Sequence, residues 1–520
     1  MRPNPGSQSG GNGTTAGGNT YPLPSGAGAS PTRQCRDNGK GWSKAHSSGK
    51  ISNMPPLMLY NTLNRKLEPF KPRSGKHVGL YACGPTVYST AHVGNLRTYI
   101  FEDILRRTLE FNGFMVKHVM NVTDVGHLTS NADDGEDKIE AAAKQQHRSA
   151  IEIARRHERE FFSDLKRLNI EPPTKILRAT ETIDLQIDLI KVLENKDVTY
   201  RISDGIYFDT TKFPRYGQLS GQKTSDKKAG ARVAVRSDKK HPADFALWKF
   251  SKPEDKRQME WPSPWGTGFP GWHIECSAMS MKELGDQFDI HTGGVDHIAV
   301  HHENEIAQSE AATGNHPFVK YWLHGEFLVT DKRMGKSEGN AITLQQVIDK
   351  GIDPLAFRYL CLQTHYRKPL SFTWESLIAA QSGLDRLWNL ITNWTNEAET
   401  GKTEKGDRFI TDFQSAISDD LNTPRAMQVL HTMLASSETT GRRFDILKDF
   451  DRVLALDLNP EAAKEHITPV GSELEKLLKD YETARREKRF SDSDIIRKEF
   501  AAKGIIVEDS PDGTSRLRKE

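Results

Sequence analysis

The sequence predicts an α/β nucleotide-binding fold split by an insertion, followed by a helical bundle and a small C-terminal unit. Three observations carry this expectation. His77 to Cys83 (HVGLYAC) and Met115 to Val122 are short apolar runs on either side of a helical pattern, which together make a β-α-β unit. Leu377, Ala380, Leu384, Leu387, Trp388 and Ile391 recur at helical spacing, and further amphipathic stretches continue through Leu456. At 520 residues the chain exceeds what one hydrophobic core organises, so two to four folded units are expected.

The elements follow in chain order. Residues 1–53 are rich in Gly, Ser, Asn, Thr and Pro, with almost no large apolar side chain to offset the entropy of ordering, so they predict a disordered tail. The tail lacks the apolar core of a secretory signal. It is poor in acids and carries Arg2, Arg33, Arg36 and Lys40, which leaves an organellar transit peptide as the minor reading. Met54 and Met58 stand just ahead of the first structured run and are alternative starts; an intact mass that includes the tail would reject them.

Residues 54–167 form the first half of the nucleotide fold, in which Gly84-Pro85-Thr86 ends the first strand, the helix begins near Asn95 and Gly113 stops it. Residues 168–257 change pattern, with the apolar helix DLQIDLIKVLEN, the strand-like GIYFDT and the Lys-rich stretch Lys223 to Lys240, and are expected to be a connective insertion. The nucleotide fold resumes over 258–330. A polar Gly-containing loop and a linker occupy 331–374, the bundle 375–467 and the terminal unit 468–520. In the bundle, Asp419 to Pro424 supplies helix-capping residues. In the terminal unit, Arg485, Arg486, Lys488, Arg489, Arg497 and Lys498 cluster, the pattern of an RNA-facing surface or a solvated helix face.

Bulk properties exclude several classes. The 72 basic and 70 acidic residues nearly cancel, so any nucleic-acid contact has to be regional. Four scattered cysteines, Cys35, Cys83, Cys276 and Cys361, suit a reducing compartment and not a disulfide scaffold, which points to the cytoplasm. No run approaches the roughly 20 apolar residues of a membrane span, so no membrane partner is expected.

The chemistry concentrates in three places. His92-Val93-Gly94-Asn95 sits where the first strand passes into the helix, and unpaired N–H groups at a helix start favour phosphate. Gly94 permits close backbone approach and His92 can stabilise charge on an α-phosphate, although such a tripeptide also serves as a plain turn. Asp331 to Asn340 (DKRMGKSEGN) carries Arg333, Lys336 and Ser337; its cations are suited to clamp the outer phosphates, although such a loop also serves as a solvated turn. Cys83, Cys276, His301 and Glu305 could hold one ion: His301 and Glu305 share a helix face, and two thiolates, an imidazole and a carboxylate make a four-ligand zinc set. Buried free cysteines with a capping histidine would look the same in sequence.

HVGN and RMGKS, about 240 residues apart, resemble the paired HIGH and KMSKS signatures of class I aminoacyl-tRNA synthetases. Asn95 replaces the second histidine, Arg333 the first lysine and Gly335 the first serine, while the lysine that the family uses for ATP, Lys336, is intact. YACGPTVY, GWHIECSAMS and HTGGVDHIAVHHENEIAQSEA are similar to the segments by which cysteinyl-tRNA synthetases hold a zinc, and the likeness runs over residues 58–520.

The resemblance implies a Rossmann-type class I synthetase catalytic domain with its insertion, a helical-bundle anticodon-binding domain and a C-terminal tRNA-binding module. It implies Cys83, Cys276, His301 and Glu305 as ligands of one zinc per subunit, with His302 as a neighbour. His92, Asn95 and Lys336 become the catalytic residues, and Gly94, Gly293, Gly294 and Asp296 join them in binding ATP with Mg2+. Thr123 contacts the substrate near its amino group and Trp272 closes the cysteine pocket. The implied reaction activates L-cysteine as cysteinyl-adenylate and transfers it to the 3' end of tRNA(Cys), the zinc selecting thiol over hydroxyl, in a monomer. Two other readings share these residues: a cysteine ligase of mycothiol-synthesis type, which joins activated cysteine to an amine on a small sugar, and a tRNA-binding paralogue without catalysis.

Overall fold

The computed structural model describes residues 56–126, 137–221, 238–252, 254, 257–330, 341–394, 408–466, 472–502, 505–509 and 515–519. The tail 1–53, most of the Lys-rich stretch and the whole loop 331–340 with Arg333, Gly335, Lys336 and Ser337 lie outside the described residues.

A short antiparallel hairpin, β1 (Met58–Asn61) and β2 (Lys66–Pro69), precedes the first sheet strand, β3 (His77–Ala82). Val78, Leu80, Tyr81 and Ala82 are all buried, as expected of a strand covered on both faces. Gly84 follows because a Cβ there would lie 1.6 Å from the Asn121 carbonyl oxygen. Helix α1 (Val93–Phe111) starts two residues before the expected Asn95. His92 is its N-cap: the imidazole Nδ1 accepts the Asn95 N–H at 3.2 Å, and Asn95 Oδ1 accepts the His92 N–H at 3.3 Å. This is a reciprocal capping box built from His and Asn in place of the usual Ser and Glu, which is why the residue pattern placed the start late. The helix buries Leu96, Ile100, Ile104, Leu105 and Leu109 and ends at Asn112, with Gly113 at φ +82° turning the chain into β4 (Met115–Val122).

Helices α2 (Lys138–Gln146) and α3 (Ala150–Arg167) lead to β5 (Lys175–Arg178), and α4 (Ile183–Asn195) then enters the insertion. The insertion is an antiparallel sheet of β6 (Thr199–Ile202), β7 (Gly205–Phe208), β8 (Phe245–Phe250) and β9 (Gly268–Pro270). The chain returns through α5 (Trp272–Leu284), β10 (Phe288–Gly294), α6 (His301–Thr313) and β11 (Val319–Gly325). The main sheet has the order β11-β10-β3-β4-β5 and is parallel throughout. Two strands therefore cross the boundaries expected from sequence. β5 belongs to the parallel sheet although it lies within 168–257, and β9 closes the insertion sheet although it lies within 258–330. Pairing between distant segments decides membership of a sheet, and a local change of composition does not report it.

β12 (Leu328–Val329) pairs with β13 (Leu370–Ser371), and α7 (Leu344–Asp349) and α8 (Pro354–Leu362) lie between them. The bundle comprises α9 (Trp374–Trp394), α10 (Arg408–Ile417), α11 (Thr423–Leu434), α12 (Thr440–Leu454) and α13 (Pro460–His466). Its expected apolar stripe, Leu377 to Ile391, is buried against Phe413, Leu430 and Phe450, in one core continuous with α1. A buried guanidinium seals that junction. Arg358 donates to the Leu454 carbonyl (2.7 Å), the Leu168 carbonyl (3.0 Å) and Asp103 Oδ2 (2.6 Å).

The terminal unit packs α14 (Ser472–Arg486) and α15 (Phe490–Ala502) on the hairpin β14 (Ile505–Asp509) and β15 (Ser515–Lys519) around Tyr481, Phe500 and Val507. Of its six clustered cations, Arg485 and Arg497 pair with Asp509 and Arg489 pairs with Glu487. Part of the basic patch therefore holds the unit together. No helix among the described residues is long and apolar enough to cross a membrane.

Candidate active site and metal centre

The chain builds β3, β4 and β5 outward in one direction and β10 and β11 outward in the other, so the order reverses between β3 and β10. Ligand crevices in open parallel sheets form at such a switch point, beyond the carboxyl ends of the strands. Cys83 follows β3 and Gly293-Gly294 end β10 there, and α1 starts shortly after Cys83 in the chain. A cavity of about 240 Å3 opens at this point, lined by Cys83, Gly84, Thr86, Asn95, Tyr99, Asn121, Thr123, Trp272, Cys276, Gly294, Asp296, His297 and His301 among others. A wider groove of about 910 Å3 in the bundle is lined by residues such as Tyr359, Phe409, Met427 and His431. Size alone thus does not locate the chemistry; the convergence of thiols, imidazoles and carboxylates does.

The four residues expected to ligate a metal come together although they are spread over more than two hundred positions. Their donor atoms all lie within 4.8 Å of one another, and all four residues are buried. Cys83 Sγ is 4.0 Å from Cys276 Sγ and 4.0 Å from Glu305 Oε1, and His301 Nε2 is 3.0 Å from the same carboxylate oxygen. Metal–ligand bonds of ~2.0 to 2.3 Å at tetrahedral angles give ligand–ligand edges of this size. The donor types fit zinc, and His301 is braced from outside by a hydrogen bond to His273 (2.9 Å), the support that ligating imidazoles commonly have.

The ionisations of these groups depend on one another through their contacts. Burial, reinforced by Cys276 and Glu305, pushes the Cys83 thiol well up. Cys276 moves down, because the Cys83 thiol donates to it and His301 adds its charge, so Cys276 is the favoured thiolate of the pair. Burial disfavours charge on His301, yet Glu305 and Cys276 prevail and push it up to about 10. Burial also opposes the Glu305 carboxylate, which His291 and His301 nonetheless hold down at about 2. Such a set of buried, mutually compensating charges suits a cation site.

The other expected residues are distributed as follows. Asn95, Thr123, Trp272, Gly294 and Asp296 line the cavity. Thr123 donates to Glu275 Oε2 at 3.0 Å and accepts from Asn121 at 3.1 Å, so its hydroxyl is committed inside the protein. Trp272 lies over His301 with ring centroids 4.3 Å apart. Gly293 lacks a side chain because a Cβ would stand 2.4 Å from His297 Nδ1 and 2.8 Å from His302. His92 and Gly94 form the start of α1 and are not among the residues lining the cavity. Lys336 lies outside the described residues, but the chain on either side of its loop is held by α1. Arg97 donates to the carbonyls of Glu326 and Phe327, and Val93 N–H donates to the Ile342 carbonyl at 2.8 Å.

Sequence reasoning passed over His291, Glu102 and Glu275. His291 Nε2 lies 2.9 Å from Glu305 Oε2. Burial pushes the Glu102 carboxyl up to about 8, and it accepts from Thr292 at 2.9 Å. A histidine inside a buried strand ahead of Thr-Gly-Gly was the available signal for the first. Nothing in the helical pattern around Glu102 separates it from a solvent-facing residue.

Residues 69–382 match the family described as "tRNA synthetases class I (C) catalytic domain". The chain is 48% identical over 463 residues to the "Cysteine--tRNA ligase 1" of Burkholderia lata, covering 88% of this chain and 96% of that one. It is 42% identical over 487 residues to the "Cysteine--tRNA ligase" of Treponema denticola, covering 88% and 99%. Among solved structures, a Mycobacterium tuberculosis methionyl-tRNA synthetase bound by methionyl-adenylate aligns with a TM-score of 0.51 over 80% of this chain and 96% of that chain. At 14% identity that likeness speaks for the fold alone.

Proposed function

We infer the reaction from one premise: this chain belongs to the cysteine-tRNA ligase family of class I tRNA synthetases. It activates L-cysteine with ATP to cysteinyl-adenylate and transfers the cysteinyl group to the 3' end of tRNA(Cys). The observation that carries the cysteine assignment is the convergence of Cys83, Cys276, His301 and Glu305 beside the nucleotide crevice. Cys83, Cys276, His301 and Glu305 would hold a zinc ion, which would offer a borderline-soft centre for the substrate sulfur in preference to the hydroxyl of serine, different by one atom.

The protein's own groups do the rest. The substrate carboxylate attacks the α-phosphorus of ATP, pyrophosphate leaves, and the terminal ribose hydroxyl of the tRNA then displaces AMP from the activated carbonyl. Such steps depend on positioning and charge stabilisation and need no assigned general base. His92, Gly94 and Asn95 set the start of α1, whose dipole favours the negative charge of the phosphates. Lys336 balances the outer phosphates together with Mg2+. Gly294 and Asp296 at the cavity edge suit the adenosine, with Gly293 beneath them, and Thr123 and Trp272 border the amino acid.

In this reading the catalytic fold is carried by residues 54–167 and 258–330 together with β5, the insertion by the rest of 168–257 together with β9, and the ATP loop with its linker by 331–374. Residues 375–467 face the anticodon side, and 468–520 add a second RNA contact. The enzyme works as a monomer in the cytoplasm. Charging of total tRNA with radiolabelled cysteine tests the reading, with serine as competitor and a zinc chelator as control. Chelator-sensitive charging that serine does not match is the expected result. Cysteine-dependent pyrophosphate exchange without transfer to tRNA would instead move the acceptor to a small amine, and neither activity in a folded, metal-loaded protein would sink the ligase assignment.

A further inference from the structure

Glu305 faces two ways. Its Oε1 lies 3.0 Å from His301 Nε2, within the quartet described above, and its Oε2 lies 2.9 Å from His291 Nε2. The second contact opens onto a different quartet, Cys83, His291, His302 and Glu305, whose donor atoms also lie within 4.8 Å of one another and whose residues are all buried. We propose that this inner quartet is a second cation site overlapping the first, an alternative seat for one borderline-soft divalent transition-metal ion. Cys83 and Glu305 are common to both sets, so one ion occupies one set at a time.

The geometry of the two imidazoles supports ligation. His291 Nδ1 lies 3.2 Å from the Thr292 carbonyl, so its outer nitrogen has a partner while Nε2 faces Glu305. His302 Nδ1 lies 2.8 Å from His324 Nε2, and His324 Nδ1 lies 2.8 Å from Thr62 Oγ1, so the outer nitrogen of His302 is occupied as well. That leaves His302 Nε2 facing Cys83 Sγ at 3.3 Å. Ligating histidines characteristically have an engaged outer nitrogen, with the other nitrogen turned toward the ion. Both rings are also fixed before any ion arrives: His291 stacks on Trp322 with centroids 4.6 Å apart, and His302 occupies space that a side chain at Gly293 would fill.

The two sets differ in softness. The outer one offers two thiols, the inner one a single thiol and two imidazoles, so the inner set shifts preference from zinc toward cobalt, nickel and copper(II). The simpler alternative is that His291 and His302 only orient Glu305 and Cys83. The proposal rests on donor geometry and not on the ligase reaction.

Cobalt binding to the full-length protein tests it, read by the sulfur-to-cobalt charge-transfer band and by X-ray absorption. Wild type should bind one Co2+ per chain; if it binds none, both metal readings fail together. The Cys276→Ala/His301→Ala variant leaves only two donors of the outer set and all four of the inner one. It should still take one Co2+ per chain, with about half the charge-transfer intensity, one sulfur in place of two. Adding His291→Ala and His302→Ala should then weaken binding by more than the roughly 10 to 100-fold expected from loss of an outer partner. A folded double variant that binds no cobalt overturns the inner site while leaving the outer one standing. Should that variant fail to fold, Cys276→Ser alone decides. Two imidazoles in its X-ray absorption spectrum support the inner seat, and one imidazole, or no bound metal, overturns it.

Discussion

Replacing Arg358 by methionine should loosen the catalytic fold and the bundle together. The guanidinium is fully buried, and its three groups of contacts reach α1 through Asp103, the chain after α3 through the Leu168 carbonyl, and the end of α12 through the Leu454 carbonyl. Breaking one side of a buried ion pair typically costs ~3 to 5 kcal/mol, mostly because the remaining charge is stranded. Here Asp103 keeps the Arg107 Nε at 2.8 Å and the Glu171 N–H at 2.9 Å, which puts this contribution toward the low end. The two abandoned carbonyls add about 1 kcal/mol each, for a total of about 5 kcal/mol. At roughly 2 cal/mol/K of unfolding entropy per residue, a fold of this length should lose about 5 °C in Tm.

The size of the loss also depends on pH in a defined direction. Burial opposes the Asp103 carboxylate, but Arg358 and Arg107 hold its pKa below the ordinary value. A depressed pKa contributes stability that is present above the unfolded value of ~3.9 and disappears as the pH falls below it. The gap between wild type and Arg358→Met should therefore narrow in acid. Calorimetry and urea titration of the full chain, with Asp103→Asn and the double variant completing the cycle, measure this. A loss below about 1 kcal/mol, or strict additivity in the cycle, would refute the reasoning.

Three further outcomes are expected. His466 lies 2.8 Å from both Asp353 and Asp457 and is stacked on Trp388. Burial opposes its charge, yet the two carboxylates push its pKa up to about 9. His466→Gln should thus lose ~1 to 2 kcal/mol below pH ~6.5, after discounting for solvent, and the difference should vanish as the pH rises through about 9; pH-dependent melting checks the sign. Arg97→Gln removes the grip on the carbonyls of Glu326 and Phe327, and should raise the KM for ATP more than that for cysteine while metal content stays at wild-type level; equal effects on both substrates would show general damage instead. Thr123→Val removes the hydrogen bond to Glu275 Oε2 and leaves the Asn121 amide without its acceptor, so a loss of about 1 to 3 kcal/mol in stability and a higher KM for cysteine should appear together in melts and pyrophosphate exchange.

The sequence alone determined the elements whose signal is local. The run from Leu96 to Leu109 reads as a helix because its apolar residues repeat at helical spacing, and Met115–Val122 reads as a strand because it is a short apolar run just past a glycine. The four donors Cys83, Cys276, His301 and Glu305 were legible through motif likeness, since only His301 and Glu305 are neighbours along the chain. Tertiary structure decided what depends on distant segments meeting. β5 and β9 found partners across the expected boundaries, and Arg358 became the seal between α1 and the bundle. His291 was drawn against Glu305 because β10 pairs beside β3 and lies under α6. Periodicity reports which face of an element is apolar, but hydrogen-bond pairing between strands and the burial of charge are settled only when elements far apart in sequence close on one another.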